Sequence, residues 1–324
     1  MSFIMNIRSV AKYESKILVR SWFFRIFTLL AVVFLGFFNF AMMLMEDNFG
    51  LWFAKSVSSN IPYLNLLLLN TGQAVVAVFL SSEFLKRDKK LDTSEVFYVR
   101  PLSNAEYVVG KIWGNLRVFL FLNLLVLAIV LAFNFMASGV TVDLPAYLVY
   151  FFLISIPTLI FIIGLSIFLM LLLKNQALTF ILLLGYIGLT LFYIQDKFYY
   201  LFDYMVYNLP LFKSTIVGFS NLELILNHRA IYFFAGLGFI FFTIFLFKRL
   251  PNARRSHYPW LFLSFCMFLL MVTAGFRHVR SILWEGEMRA LYTSINNKYV
   301  YEPKMAIDYY DISVEQKSET IRSV

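Results

Sequence analysis

The sequence predicts an all-α polytopic membrane protein, and three observations lead to this fold class. Of the 324 residues, 60% are hydrophobic, 38 are phenylalanine and only 15% are charged, which is more apolar surface than one soluble core buries. Apolar runs of about 20 residues, the length that crosses a ~30 Å hydrocarbon layer as a helix, recur along the chain. Basic residues collect in alternate loops between these runs, which is typical of a fixed membrane orientation.

The apolar runs predict seven transmembrane helices. They are continuous rather than short and alternating, so they indicate helices and not the strands of a barrel. The first run follows a basic stretch but is too long for a secretory signal and lacks a small-residue cleavage site, so we interpret it as a retained anchor. The seventh is short and would cross with little tilt. The predicted spans are residues 26–45, 61–82, 113–135, 146–173, 176–195, 230–247 and 260–276.

The charge of the loops predicts a cytoplasmic N-terminus. The net charge is +9, and no separate basic domain suggests a nucleic-acid partner. The loops predicted to lie outside carry only Lys55, Lys197, Lys213 and Arg229. Many more basic residues lie in the segments predicted to face the cytoplasm, namely Arg8, Lys12, Lys16, Arg20, Arg25, Lys86, Arg87, Lys89, Lys90, Arg100, Lys111, Lys174, Lys248, Arg249, Arg254 and Arg255.

The C-terminal tail opposes this rule, because Arg277, Arg280 and Arg289 follow the seventh run on the outer side. We predict that the seventh run spans and that the tail is extracytoplasmic. The alternative is a seventh helix on the membrane surface with the tail inside. Residues Ile307 and onward alternate apolar and acidic side chains, which predicts the beginning of a short β-structure.

Two other segments have the composition of membrane-associated structure. Residues 1–25 mix Ile7, Val10, Ile17 and Trp22 with spaced cations, which favours an amphipathic helix in the headgroup layer over an ordinary flanking segment. Residues 196–229 are too apolar for a solvated loop. We predict a re-entrant segment of two half-helices broken at Pro210, the alternative being an amphipathic surface cap.

The sequence contains no catalytic or metal-binding motif. Cys266 is the only cysteine, so an intrachain disulfide is excluded. Gly110-Lys111 resembles the end of a phosphate-binding loop, but Ile112 replaces the hydroxyl residue that would hold Mg²⁺. No Gly-x-Ser-x-Gly elbow is present. Three histidines fall in separate predicted loops without metal-ligand spacing, and we interpret them as surface residues: His228, His257 and His278.

Polar residues inside the predicted spans are few and none is a carboxylate, which disfavours an ion-coupled carrier. We expect the amides to join helices by hydrogen bonds rather than to bind substrate. Arg117 would extend back to the headgroups. The polar residues are Asn39, Asn65, Asn70, Gln73, Arg117, Asn123, Asn134, Thr179 and Tyr186.

Residues 83–111 form a charged segment between the second and third predicted spans. In order, it contains Glu83, Lys86-Arg87, Thr93, Glu95-Val96, Pro101-Leu102-Ser103 and Gly110-Lys111. This pattern resembles the permeases of type-2 ABC exporters, in which these residue types follow the second span at similar spacing. The sequence departs from the family at Asp92, where glycine is common, and at Val99-Arg100 ahead of the proline. The similarity covers residues 5–250 and includes the six-span core.

The resemblance implies that residues 88–100 form a coupling helix that docks on a separate cytoplasmic ABC ATPase subunit, which would bind the ATP and Mg²⁺. Pro101 would end this helix. A solvated basic loop held at anionic lipid is the alternative, but it does not account for the interleaved aromatic and acidic residues. The implied coupling residues are Glu83, Arg87, Asp88, Thr93, Glu95, Val96, Phe97, Pro101, Leu102 and Lys111.

The resemblance also implies a domain layout and partners. Residues 1–25 would be the interfacial helix, 26–250 the permease core, 251–276 a cytoplasmic loop with the seventh span, and 277–324 the extracytoplasmic tail. The core would pair with a second copy or a sibling permease in a bacterial inner membrane. The layout is similar to bacterial permease/aminopeptidase-like fusions, of which this chain would be the N-terminal part, although it contains no peptidase site.

Three functional classes follow from these observations. The first is a permease subunit that exports a hydrophobic or amphipathic substrate. The second is a membrane anchor or force-transmitting subunit for an extracytoplasmic assembly, which would bind no ATPase. The third, an integral-membrane lipid enzyme, is disfavoured because no polar cluster stands at either interface.

Overall fold

The protein is an all-α polytopic membrane protein. The computed structural model describes residues 2–44, 58–82, 102–136, 142–194, 196–209, 211, 213–214, 218–219, 221–247, 258–301, 309, 314–317 and 320–323. Seven helices in these ranges are long and apolar enough to cross a membrane, which agrees with the seven predicted spans. They follow an N-terminal helix, α1 (Ser2–Arg20). The spanning helices are α2 (Trp22–Leu44), α3 (Asn60–Ser82), α4 (Asn104–Met136), α5 (Leu144–Leu173), α6 (Gln176–Ile194), α7 (Leu222–Leu246) and α8 (Tyr258–Lys298).

The helices divide into an inner group and a peripheral group. α3, α4, α5 and α7 supply most of the buried side chains, whereas α2, α6 and α8 are largely exposed along their apolar lengths. Since the peripheral helices expose side chains such as Phe37, Phe192 and Phe265, they face lipid or another subunit.

α5 and α7 approach each other at glycines. A Cβ on Gly164 would lie 2.7 Å from the Gly236 carbonyl oxygen, and a Cβ on Gly236 would lie 2.7 Å from the Ile160 backbone. Only hydrogen at these positions allows the two backbones to touch, which is how helices pack closely in membranes.

α5 is interrupted by a π-helical turn, Phe151–Ser155, just before Pro157. Proline has no N–H, so the α-helical bond to the carbonyl of Leu153, four residues earlier, cannot form. This carbonyl lacks its α-helical donor and accepts a hydrogen bond from another element, which is described below.

A closed ring of side-chain amides joins two inner helices, and a serine hydroxyl bonded to the ring adds a third. Gln73 Nε2 donates to Asn70 Oδ1 (2.7 Å), Asn123 Nδ2 donates to Gln73 Oε1 (2.9 Å), and Asn70 Nδ2 donates to Asn123 Oδ1 (3.3 Å). Ser155 of the π turn also donates to Asn123 Oδ1, at 2.8 Å. These fully buried groups link α3, α4 and α5, in agreement with the prediction that amides in the spans join helices by hydrogen bonds.

Three helices differ in extent from the predicted spans. α4 begins at Asn104 rather than near 113, and α7 begins at Leu222 rather than near 230. α8 continues from Tyr258 to Lys298, well past the predicted end at 276. Its 41 residues measure about 60 Å, twice the thickness of the hydrocarbon layer. Arg277, Arg280 and Arg289 thus lie on this helix.

The prediction of two half-helices broken at Pro210 in residues 196–229 is wrong for the described part of the segment, because residues from Leu222 onward belong to α7 and no half-helix precedes them in the described residues. Its helical piece is one 3-10 turn, Phe198–Tyr200, followed by turns and a two-residue hairpin of β1 (Lys213–Ser214) and β2 (Gly218–Phe219); Pro210 lies outside the described residues. Tyr204, Met205 and Val206 are nevertheless buried against the bundle. We call residues 196–211 the outer segment.

The hairpin is tied to the start of α5. Lys213 Nζ lies 2.6 Å from Asp143, and the same carboxylate accepts the Ala146 amide as the N-cap of the helix. Further along the chain, β3 (Val314–Lys317) pairs antiparallel with β4 (Thr320–Ser323) in the register Val314↔Ser323.

Candidate functional site

The structure locates two of the ten predicted coupling residues. Eight of them, from Glu83 to Pro101, lie outside the described residues: Glu83, Arg87, Asp88, Thr93, Glu95, Val96, Phe97 and Pro101. Leu102 is half-buried just before α4, and Lys111 is buried within it. The described part of the candidate site is the start of α4 together with the elements that pack against it.

The start of α4 is fixed by a capping box. The Ser103 hydroxyl accepts the Glu106 amide at 3.2 Å, and the Glu106 carboxylate accepts the Ser103 amide at 2.6 Å. This reciprocal pair satisfies two N–H groups at the helix N-terminus. It also explains why α4 begins about nine residues before the apolar run: the first turns are held by polar contacts rather than by lipid.

The same turn is joined to the C-terminal end of α7. Asn104 Nδ2 donates to the Phe247 carbonyl at 2.6 Å, and the Tyr107 ring stacks on the Phe247 ring with centroids 5.4 Å apart. Phe247 immediately follows α7 and is buried. The first turn of α4 is therefore in direct contact with the end of α7.

α1 lies along the first part of α4, in the same direction. Asn6 donates to Glu106 at 2.9 Å, near the start of both helices. At Gly110 and Gly114 an added Cβ would lie 2.7 Å from side-chain atoms of α1, so the spacing Gly-x-x-x-Gly allows the two helices to pack closely. α1 thus shares the axis direction of this part of α4.

A buried ion pair closes this contact. Lys111 Nζ lies 2.6 Å from Glu14 Oε1, and both side chains are almost completely buried. Lys111, predicted as a coupling residue, therefore directs its ammonium to α1 and not to the surface that a partner would meet.

The interpretation of Arg117 as extending to the headgroups is wrong. Its Nη2 donates to the Ala11 carbonyl at 2.8 Å, and its Nε donates to the Ser15 hydroxyl. Ser15 in turn donates to the Gly114 carbonyl at 2.7 Å. Arg117 is thus another link between α1 and α4.

Arg229, assigned from the sequence to an outer loop, instead lies on α7 with 2% of its surface exposed. Its Nε donates to the Leu153 carbonyl at 2.6 Å, the group that Pro157 leaves without a helical donor. Its other nitrogens reach the Tyr204 carbonyl (2.9 Å) and the Thr158 hydroxyl (2.8 Å). One guanidinium therefore joins α5, α7 and the outer segment. Pro157 within the fourth predicted span was the signal in the sequence, because a proline leaves a backbone carbonyl without its α-helical donor.

The interpretation of His228 and His278 as surface residues is also wrong, because both side chains are completely buried; His257 lies outside the described residues. Their rings face each other with centroids 5.0 Å apart, joining α7 to α8. Each Nε2 bonds a backbone carbonyl, of Tyr200 (3.0 Å) and Tyr199 (2.9 Å) respectively. Since a carbonyl only accepts, both Nε2 atoms carry the proton.

These carbonyls belong to a left-handed turn. Phe198, Tyr199 and Tyr200 have φ angles of 51°, 59° and 60°, a conformation that costs about 1 kcal/mol or more for each non-glycine residue. The two histidines hold this turn on the bundle.

Asp203 is the buried carboxylate of the outer segment. Burial raises the pKa of Asp203, while the amide of Asn208 at 2.8 Å and the charge of Arg229 oppose that rise. No ion pair joins Asp203 to Arg229 in the described part of the chain.

Among the described residues, no group of three or more His, Cys, Asp or Glu side chains is arranged to hold a metal ion. The polar clusters have their donors and acceptors turned toward one another and toward backbone, as in structural links between helices. Comparison of the chain with protein-family models, with curated proteins and with solved structures finds no match.

Proposed function

We propose that this chain is the transmembrane permease subunit of an ATP-binding-cassette exporter, which couples ATP hydrolysis by a separate subunit to the movement of a hydrophobic or amphipathic substrate. In this proposal the N-terminus is cytoplasmic, the membrane is a bacterial inner membrane, and a second permease completes the passage. Residues 83–101 dock on the ATPase.

The observation that carries the proposal is the attachment of α4 immediately after residues 83–101. The capping box fixes the first turn of α4, and the contacts to Phe247 and the packing on α1 connect this end of the helix to α7 and α1. A solvated basic loop that only bound anionic lipid would not need these contacts between helices. A segment that receives force needs a stiff connection to the helices that must move.

The rest of α4 offers a route for that force. The helix has 33 residues and is about 50 Å long, so it reaches from the docking segment across the bilayer. Midway, Asn123 enters the amide ring that joins α4 to α3 and α5. A shift of α4 would therefore be shared among α1, α3, α5 and α7.

The first test is physical capture of the ATPase. Single cysteines introduced from position 88 to position 98 in a Cys266→Ser background are crosslinked in cells, and the products are identified by mass spectrometry after mild-detergent purification. Crosslinks to an ABC ATPase are expected. A functional complex in which these positions never reach an ATPase would refute the proposal.

The second test is functional. Glu95→Lys is expected to lower both substrate-stimulated ATP turnover and transport at least about tenfold in the reconstituted complex, because a charge reversal at a docking surface creates repulsion or leaves its partner unpaired. Pro101→Ala should also impair coupling, with membrane insertion intact. The matched control is Glu287→Lys, the same charge reversal on the exposed part of α8. Equal activity of Glu95→Lys and the control would contradict the assignment.

The length of α8 favours a second candidate, a membrane anchor that transmits force to an extracytoplasmic assembly. Half of its 41 residues extend beyond the hydrocarbon layer. Purification of the full chain decides between the two: an ATPase recovered with it supports the permease, whereas extracytoplasmic proteins alone support the anchor.

A further inference from the structure

A cleft of about 290 Å³ lies between α1, the Ser21 junction that follows it, α3 and α4. The second half of α1 supplies most of the lining, together with Leu80 near the end of α3 and Asn115 of α4. Its lining combines polar and apolar side chains: Glu14, Ile17, Leu18, Arg20, Ser21, Leu80 and Asn115.

Asn115 is the first sign that the cleft accepts a ligand. Its side chain is 5% exposed, yet its amide has no hydrogen-bond partner among the described residues. Every other asparagine of α4 whose contacts are described donates such a bond: Asn104, Asn123 and Asn134. The Asn115 amide lines the cleft, so a ligand or a water in the cleft can supply the missing hydrogen bond.

The charge around the cleft is the second sign. Arg8, Lys12, Lys16 and Arg20 follow one another at intervals of four residues on the exposed side of α1, and none forms an ion pair with a described residue. Glu14, the acidic residue of this helix, faces α4 and pairs with Lys111. The cleft is lined by Arg20, the last cation of this uncompensated row, and Arg20 is close enough to attract an anion in the cleft.

Aromatic side chains indicate the depth of the cleft. Trp22 directly follows the Ser21 junction and is 74% exposed, and Trp113 on α4 is exposed as well. Tryptophan is enriched at the level of the headgroups, where its ring contacts acyl chains and its N–H contacts water. A ligand in the cleft would thus meet headgroup chemistry.

We propose that this cleft binds the headgroup of an anionic glycerophospholipid. The phosphate lies against the Arg20 guanidinium and the Ser21 hydroxyl, the headgroup hydroxyls reach the Asn115 amide, and the acyl chains pass along the exposed face of α2. The inference is independent of the proposed transport function, since it concerns residues outside 83–101.

The test measures lipid retention by the full chain. Purified protein is equilibrated with mixed micelles of phosphatidylcholine and phosphatidylglycerol, and bound lipids are counted by native mass spectrometry. Wild type is expected to retain phosphatidylglycerol selectively. Arg20→Gln should weaken that retention about fivefold, the effect of one cation near an anionic headgroup. Asn115→Leu, which keeps the volume and removes the amide, should weaken it as well.

The matched control is Lys12→Gln, which removes the same charge about 12 Å further along α1, beyond the Debye length of physiological salt. Retention close to that of wild type is expected. Equal losses for Lys12→Gln and Arg20→Gln, with no loss for Asn115→Leu, would mean diffuse surface attraction and would overturn the site. So would equal retention of phosphatidylcholine by wild type, or displacement of the lipid by millimolar inorganic phosphate. Arg20 is exposed, so its variant tests the site even where Asn115→Leu fails to fold.

Discussion

Replacing Arg229 by methionine is expected to lower the free energy of unfolding by about 2–4 kcal/mol. The substitution keeps an unbranched side chain and removes a guanidinium that donates to Leu153, Tyr204 and Thr158. The largest loss is at the Leu153 carbonyl, which has no α-helical donor because of Pro157. A buried acceptor left without a partner costs about 1–3 kcal/mol.

The other acceptors lose less. The Tyr204 carbonyl still accepts from the Thr158 hydroxyl at 3.2 Å, so removing the arginine deletes one of its two bonds. Each such bond contributes about 0.5–1.5 kcal/mol net. The variant no longer has to bury the charge of Arg229, and this gain offsets part of the summed loss of hydrogen bonds. The net cost is therefore the ~2–4 kcal/mol given above.

The assay is reversible unfolding of the purified protein in mixed micelles titrated with dodecyl sulfate and followed by circular dichroism. Arg277→Met is the matched control, because Arg277 is exposed and its ion pair with Glu223 is a surface pair. The control should change stability by no more than about 0.5 kcal/mol.

A second substitution isolates the mechanism. Pro157→Ala returns an N–H to α5 in reach of the Leu153 carbonyl, so Arg229→Met should cost about 1–2 kcal/mol less when it is combined with Pro157→Ala than when it is made alone. The reasoning is refuted if the cost is the same with and without Pro157→Ala, or if Arg229→Met behaves like Arg277→Met.

Three more predictions use the same unfolding assay. Lys111→Met should cost about 3–5 kcal/mol by leaving Glu14 charged and buried, and adding Glu14→Gln should recover part of that loss; no recovery would argue against the pair. Gly236→Ala should destabilise by about 1–3 kcal/mol through a backbone clash, whereas Gly185→Ala, with open space around it, should not. The pKa of Asp203 is raised in the folded state, so the unfolding free energy should fall as pH rises from the unfolded-state pKa to that raised value; Asp203→Asn should flatten this slope, and an unchanged slope would contradict the argument.

The seven spans were predictable because an apolar run of helical length has few alternatives in lipid. The ends were less predictable, because hydropathy registers contact with lipid and not helix formation. α4 begins at Asn104 because of a capping box, and its pattern Ser103-x-x-Glu106 is visible in the sequence. The burial of Lys111, in the next turns of α4, depends on its ion pair with Glu14 of α1 and is not visible there. α8 is longer than its apolar run because the polar residues that follow the run are also helical.

The buried polar residues were the part that sequence reasoning missed. His228 and His278 are far apart in the chain and meet only because α7 packs on α8, which no local spacing reveals. The sequence predicts Arg229 in a loop because a charge next to an apolar run usually faces water. Its acceptors come from two other elements, so its burial follows from tertiary structure alone. Residues 83–101, which carry most of the predicted coupling site, lie outside the described residues, and their role stays a prediction.

The length of α8 sets a distance as well as a direction. If a helix of 41 residues enters the hydrocarbon layer at Tyr258, its last turn lies about 30 Å beyond that layer, measured along the helix axis. The side chains of its final turns are exposed on all sides, so this part of α8 is an isolated helix that projects from the bundle. Because α8 packs on α7, a motion of α7 that tilts the first half of α8 by a few degrees would displace the C-terminal end of α8 by several ångströms.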